Sequence, residues 1–561
     1  MVLRLLSPQA REVSRSVSSG RTLTRPDVDD NRRPSTHDGP AAVAGLIAVG
    51  AGLAVGELCA VPISENSSPF FAVGSTVVDH TPQAVREWAI GTFGTSDKTA
   101  LFTGMALIIV VLAAATGVLE RRRPPFGCVV IGVFAVLGLV AALNRSGSSG
   151  AYIIPSLLAG VVGIGVLRLL LRQLGAPQST LDDEQQDDEQ QDDEQQDDEQ
   201  QDDEQQSGVP RRFVLTAAGI AVAAIAVGAV GRKLLADAAR TVADRAGIKL
   251  PAPASPAPPI PAGAEIGVQG ATSYVTDNAS FYRIDTALQV PQLTTTDWTL
   301  RVHGLVDEEF TLTWDELLAM PMTERVVTLT CVSNEVGGDL IGNARWLGVP
   351  MKTLLDRAGV RPGADMLLST SSDGWTAGTP VSAITDKRDA LLAVAMNGEP
   401  LPIEHGFPVR QVIPGLYGYV SATKWVTDWE LTRFSDAQAY WTTRGWSALG
   451  PIKLASRIDR PAGGSVNPGE VIIAGTAWAQ HTGISAVQVR IDRGPWQDAQ
   501  LATEYSIDTW RQWKFTWQAT SGKHTVECRA IDKNGKAQTE TEADPVPDGA
   551  TGLDSRDYTV G

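Results

Sequence analysis

Five apolar runs dominate the first 231 residues, at 41–63, 100–119, 126–143, 152–171 and 213–231. Each is close to the ~20 residues a helix needs to cross a bilayer. One such run alone reads equally well as a buried helix. Five in succession, almost without internal charge, predict membrane spans. Glu57 is the exception and is expected to face the bundle or to sit near a span end.

Beyond residue 231 the pattern changes. "PAPASPAPPIPA" at 251–262 predicts a stiff polyproline spacer that holds the next unit off the membrane. From 265 to 446 short β-branched runs mix with helix signals. "TWDELLAM" has a Thr313 cap ahead of acidic residues, and "VPMKTLLDRAGV" has helical apolar spacing and a Gly359 stop. This block is α+β. From 447 on, turn signals recur and strands alternate, as in "AVQVRID" and "HTVECRAID", predicting a small β-sandwich of immunoglobulin type.

The chain of 561 residues is too long for one core, so a multi-domain protein is expected. Its net charge of −17 comes mostly from one tract, "DDEQQ" repeated five times from Asp182 to Gln206. The repeats hold 15 acidic residues, so the rest of the chain carries only −2. With no basic face, a nucleic-acid partner is not expected. The tract has no apolar face to bury and predicts a solvated linker over 173–210, as residues 1–40 predict a disordered basic tail.

Positive charge sets the topology. The N-terminal tail, Arg121 to Arg123, Arg168 with Arg172, and Arg211 with Arg212 all fall on one side if every segment crosses. The positive-inside rule makes that side cytoplasmic, which puts everything after the fifth span outside. "VPRRFVLTAAG" at 209–219 reads either as a twin-arginine export signal or as an ordinary positive-inside anchor. Residues 211–233 then form the fifth span, and 234–264 the approach to the globular part.

Cys59 and Cys128 lie in apolar runs, while Cys331 and Cys528 lie far apart in the C-terminal half. There is no CxxC and no zinc spacing, so neither a structural zinc nor a disulfide framework is expected. Cys331 follows a β-branched strand and precedes the polar loop "SNEVGG". On its own it is either a small core residue or a ligand for a soft metal.

Four ordered stretches bear on that choice: "FYRIDTALQVP" (281–291), "TLTCVSN", "NARWLGVPMKTLLDRAGV" (343–360) and "AMNGEPLPIEHGFPVRQVIPGLYGYVSATKWV" (395–426). With them, the block 265–446 resembles the molybdopterin-binding domain of the sulfite oxidase family, and 447–561 resembles the dimerisation domain that follows it there. The resemblance implies an oxidoreductase with a molybdenum–molybdopterin cofactor, and the apolar runs, which it does not cover, would anchor the protein in a membrane. Its reaction would be two-electron oxygen-atom transfer on a small molecule, and the sandwich would form a homodimer. Cys331 would be the metal-bound thiolate. Arg283 would contact the pterin phosphate or the substrate. His405, Arg410 and Lys424 would hold the pterin and its phosphate, and Gly415 and Gly418 would admit the cofactor. Asp373 would accept from the pterin ring or cap a turn. Asn334 would bond near the metal, and Arg345 would pair structurally.

Two departures touch the substrate. Glu335 and Val336 stand where sulfite oxidases carry arginine, and Gly378 and Thr379 stand where a tyrosine is expected. A carboxylate disfavours an anion pocket, so a neutral substrate such as an organic sulfoxide competes with sulfite. No haem-attachment CxxCH occurs, so electrons are expected to pass to a separate protein or quinone. The family's cofactor is inserted in the cytoplasm, which favours the export reading of Arg211 and Arg212. The reading from another class is a cofactor-free extracellular binding or adhesion module on a membrane anchor.

Overall fold

A computed structural model describes residues 38–82, 85, 92, 97–145, 148–175, 211–227, 230–287 and 289–561. The basic tail and the acidic repeats lie outside the described residues.

Among the described residues four helical segments are long and apolar enough to cross a membrane: Asp38–Ala60, Thr99–Arg122, Phe126–Leu143 and Gly150–Leu174. They belong to helices α1 (Asp38–Ala60), α3 (Asp97–Arg122), α4 (Phe126–Leu143) and α5 (Ile153–Gly175), with the short α2 (Pro69–His80) between the first two. The fifth apolar run enters α6 (Arg211–Val227), and residues 228 and 229 lie outside the described residues. The charged α7 (Val230–Gly247) follows.

Small residues let the helices close. A side chain on Gly117 would meet the Ala41 carbonyl, and one on Gly45 the Ala113 carbonyl, so α1 and α3 touch backbone to backbone. Gly52 meets α5 in the same way at Ala159. Without a hydrophobic driving force inside lipid, such close packing is what holds helices together. Glu57 lies near the end of α1 and accepts from Ser68 Oγ at 2.6 Å and Phe70 N at 3.3 Å, which ties down the start of α2.

The bundle has two distinct ends. Arg122 pairs with Asp38 at one, and Arg145 pairs with Asp79 at 2.8 Å at the other. Phe213 of α6 packs with Ala44 and Leu170 near the first end. The globular part meets the second, where the Tyr440 hydroxyl donates to Asp79.

α7 is fastened to the globular part. Asp244 accepts from Thr295 N at 2.7 Å, and Arg245 Nε donates to Leu401 O at 2.8 Å. The proline-rich stretch lies against the same unit: Ala254 N donates to Met322 O at 2.8 Å, and Glu324 N to Ser255 O at 2.9 Å.

That unit carries ten strands: β1 (Thr299–Gly304), β2 (Phe310–Thr313), β3 (Thr323–Thr330), β4 (Ile341–Pro350), β5 (Met366–Ser371), β6 (Thr376–Pro380), β7 (Leu391–Met396), β8 (Glu399–Pro400), β9 (Arg410–Val412) and β10 (Val426–Thr432). One sheet runs β2-β1-β10-β5-β6, the other β3-β4-β7-β8, with β9 on β7. Trp298, Val349, Leu392 and Trp429 are among the side chains of the main core. Thr313 caps the Trp314–Leu318 helix in a box with Glu316, and Gly359 ends the Met351–Ala358 helix at φ +65°, both as the sequence predicts.

The C-terminal unit has two sheets around a separate core that includes Ile473, Val487, Trp513 and Val526. The first sheet contains Ala455–Arg460, Gly469–Trp478, Arg511–Ala519 and Gln500–Leu501; the second contains Gly464–Val466, Asp554–Val560, Gly522–Asp532, Ile484–Ile491 and Gln497–Asp498. This unit grips β3. Trp510 N donates to Thr328 Oγ1 at 2.8 Å, and Gln480 Nε2 to Thr330 Oγ1 at 2.9 Å.

Gly117→Leu should split the bundle, because the clash is with backbone and no rotamer relieves it; overpacking costs about 1–3 kcal/mol or more. Gly104→Leu, whose side chain would enter open space, is the control. Thermal melting of the full chain in detergent should fall for the first variant and hold for the second.

Candidate active site

Strand β3 ends at Thr330, and the next ten residues form a closed loop. Cys331 N donates to Leu340 O at 2.9 Å, and Leu340 N returns a bond to Asn334 Oδ1 at 2.8 Å. Gly337 turns at φ +73°, where a side chain would strike Asp554 of the C-terminal unit. Arg457 Nη1 donates to Gly338 O at 2.7 Å, and Arg556 Nη2 to Gly337 O at 3.3 Å. The cysteine therefore sits on a strand end whose loop is clamped from the neighbouring unit.

The Cys331 side chain is buried, and burial pushes its thiol pKa up. The amides of Val332 and Ser333 and the Ser333 hydroxyl oppose this by donating toward sulfur.

A cluster of cations stands beside it. Arg410 opens β9 and is 5% exposed. Its guanidinium donates only to carbonyls: His405 O at 3.1 Å, Ala422 O at 3.4 Å and Gln411 O at 3.4 Å. It also lies 5.0 Å over the Trp346 ring, and it has no carboxylate partner among the described residues. Burial lowers its pKa to about 10.

Lys424 Nζ donates to Asp285 Oδ2 at 2.8 Å and to Glu404 O at 3.1 Å, and Arg283 Nε reaches the same Asp285 oxygen at 3.0 Å. Burial lowers the Lys424 pKa to about 8 despite Asp285, which pulls the other way. His405 sits edge-on to Phe281 at 5.6 Å, with Nε2 3.3 Å from Asn278 O. Burial, then Arg410 and Lys424, drive its pKa down to about 3, so it is neutral at physiological pH. Lys424 and Arg283 thus share one buried carboxylate while Arg410 has none, a local excess of positive charge suited to an anion.

Gly406 explains how the cations meet. At φ +110° a side chain there would press on Arg410 Cβ at 3.0 Å and Lys424 Cα at 3.1 Å. Tyr282 lies between the two halves of the site: burial and then Cys331 push its hydroxyl pKa up, and Arg410 opposes them. Gly418 lies beside it, 3.7 Å from the Tyr282 hydroxyl and from Thr330 O if given a Cβ.

Of the sequence candidates, Arg283, His405, Arg410 and Lys424 come together, with Cys331 beyond Tyr282. Four others do local work. Asn334 closes the cysteine loop through its side-chain oxygen. Asp373 Oδ1 accepts from Trp375 N at 3.1 Å and caps the turn from β5 to β6, one of the two roles expected for it. Gly415, expected to admit the cofactor, has φ +83°, and a side chain there would meet His481 of the C-terminal unit at 3.0 Å and Arg388 at 3.1 Å. Its backbone freedom serves the contact between units. Arg345 pairs with Glu324 at 3.0 Å, the structural role expected.

Asp285, Gly406 and Tyr282 escaped the sequence reading. Asp285 alone carried a signal, an acidic residue two positions after Arg283. Tyr417 was also missed. Its hydroxyl is pushed up to about 12, first by burial and also by Cys331. Gly378 faces Met366 and Ala439 in the interior, so aromatic hydroxyls near the cysteine come from Tyr282 and Tyr417 and not from that strand.

A family model described as an oxidoreductase molybdopterin binding domain matches residues 287–441. Mitochondrial sulfite oxidase of Rattus norvegicus is 29% identical over 323 residues, covering 48% of this chain. The chain spans 58% of that relative's length. The oxidoreductase YuiH of Bacillus subtilis is 35% identical over 155 residues, which is 28% of this chain and 75% of YuiH. Among solved structures, sulfane dehydrogenase SoxCD from Paracoccus pantotrophus aligns with a TM-score of 0.42 and 23% identity, covering 48% of this chain and 75% of that one.

Two outcomes follow from the cradle. Arg410→Met removes a buried unpaired charge, so the apo protein should be unchanged or up to about 2 kcal/mol more stable. It should also lose its affinity for inorganic pyrophosphate; denaturant melts and calorimetric titration read the two effects. For Lys424, free protein gives up its charge as pH rises through about 8, while a bound anion keeps the proton on. Pyrophosphate affinity should be flat below that pH and fall above it, by up to tenfold per pH unit. Lys424→Arg should abolish the fall while keeping the binding.

Proposed function

The chain belongs to the sulfite oxidase family of molybdopterin-dependent oxidoreductases, and we propose that it is a membrane-anchored member acting on a small neutral substrate on the extracytoplasmic side. The observation that carries the reading is the buried Arg410, paired only with carbonyls, beside a cysteine on a clamped loop. A soft donor next to an anion cradle fits a metal held through a phosphorylated organic cofactor.

Cys331 would supply the thiolate to the metal. Arg410 and Lys424, with Arg283 at the rim, would take the phosphate, and neutral His405 would meet the pterin as a hydrogen-bonding partner. When bound, the cofactor supplies two-electron oxygen-atom transfer. The protein's part is orientation and exclusion of water. Burial keeps the cradle dry, and the loop bonds to Asn334, Arg457 and Arg556 hold the cysteine in place.

The substrate reading rests on the charge of the loop that follows Cys331, beside which lies a cavity of about 20 Å³, room for about one water. Thr330, Asn334, Glu335, Tyr417, Trp478 and Thr551 line it, and Glu335 is the only charged residue in the lining. An oxyanion such as sulfite would meet a carboxylate and no cation, so an uncharged oxygen donor or acceptor of the sulfoxide type suits it better.

The arginine-rich end of the bundle would be cytoplasmic and the globular part would lie on the opposite side. α6 starts at the first end and, together with residues after Val227, would complete a fifth span. Arg211 and Arg212 would direct export of the folded, loaded domain. The C-terminal unit would be an immunoglobulin-type sandwich that pairs two copies, and electrons would pass to a separate protein or quinone.

Full-length protein made in a host that synthesises the cofactor should hold about one molybdenum per chain. Cys331→Ala should lose catalysis on every substrate while keeping its melting temperature within a few degrees. A well-folded wild-type protein without molybdenum or pterin would overturn the enzyme reading in favour of a binding module. Glu335→Gln should strengthen binding of sulfite roughly 3–10-fold and leave neutral sulfoxides unaffected. A wild type that prefers sulfite would overturn the substrate reading.

A further inference from the structure

We infer that the segment Tyr440–Leu449 is a lipid-facing surface, seated in the headgroup layer of the bilayer that the apolar helices cross. The inference rests on reading those helices as membrane spans.

α4 ends at Leu143, and Arg145 lies two residues on. It pairs with Asp79, the penultimate residue of α2. Charged side chains are costly in hydrocarbon, so this pair marks the level at which the bundle meets polar surroundings. The Tyr440 hydroxyl donates to the other oxygen of the same carboxylate, and Arg444 lies 3.7 Å from it. The catalytic unit therefore reaches the bundle where the hydrocarbon ends. Beyond the hydrocarbon the headgroup layer extends roughly 5–7 Å on each side. That depth takes in a side chain bonded directly to Asp79.

The chemistry of the segment suits that layer. Tyr440 and Trp441 meet edge to face at 5.1 Å, and Trp441 meets Trp446 at 6.2 Å. All three are half-buried, and Leu449 is 54% exposed. Rings with an apolar body and a polar tip concentrate at the bilayer boundary. Arg444 stacks over Tyr440 at 3.6 Å and keeps 29% of its side chain exposed, within reach of a phosphate. Continuity with the end of the bundle identifies the occupant, because the surface that adjoins that end is lipid. The cluster also leads inward: Trp446 packs on Tyr419 at 5.9 Å, two residues from the Tyr417 that lines the cavity beside Cys331.

The test is a depth measurement on the full chain in phosphatidylcholine vesicles. A nitroxide is attached at Leu449→Cys and, separately, at Val136→Cys on the exposed face of α4 and Gln497→Cys on an exposed strand of the C-terminal unit. Unsubstituted protein taken through the same labelling gives the background from its own cysteines. Collision with oxygen relative to a water-soluble nickel chelate gives the depth. The expected ratio at Leu449 lies between the hydrocarbon value at Val136 and the aqueous value at Gln497. An aqueous value at Leu449 with a hydrocarbon value at Val136 would overturn the lipid surface and leave the membrane anchor standing. Aqueous values at both would overturn the anchor as well.

Discussion

A guanidinium buried without a carboxylate is a costly object, and the catalytic unit is organised around one. Desolvating an ion costs several kcal/mol, and the carbonyls around Arg410 return only part of it. Lys424 and Arg283 share a single carboxylate, so they leave the local charge positive. The fold tolerates this because the surrounding strands are rigid: β9 is pinned to β7, and Trp346 lies beneath the guanidinium. An anion of the right shape would turn the cost into binding energy. The neutral state of His405 is a consequence of the same crowding.

The second constraint is mechanical. Cys331 is placed by two units at once, through β3 and the loop that closes back on it, and through Gln480, Arg457 and Arg556 from the other side. The C-terminal unit is thus part of the site even where it supplies no ligand. A loop clamped at both ends holds the position of its cysteine more firmly than a loop free to move.

The helical bundle is held by different physics. Small residues on α1 allow α3 and α5 to approach until backbones touch, and charge pairs mark both ends of the bundle. α7 and the proline-rich stretch are bonded along the molybdopterin-domain unit. Together with the contact at Asp79 they hold the catalytic unit against the bundle. A free polyproline spacer would have allowed it to swing.

Periodicity and local chemistry made much of this legible in the sequence. Four of the apolar runs became long apolar helices because their length and lack of charge leave no other low-energy state. The Thr313 cap and the Gly359 stop formed because they depend only on neighbouring residues. The cation residues were named through the family resemblance of their motifs, and folding brings Arg283 and Lys424 onto one carboxylate. What the sequence could not determine was long-range. Asp285 is an ordinary acidic residue until folding brings Lys424, 139 positions away, onto its oxygen. Tyr282 and Tyr417 gain meaning only through nearness to Cys331. Gly415, read from its motif as a cofactor contact, faces His481 of the other unit. The clamp on the cysteine loop likewise joins residues more than a hundred positions apart. Propensity and spacing act over a few residues, whereas charge compensation and burial act over a few ångströms, and only the tertiary structure decides which residues share them.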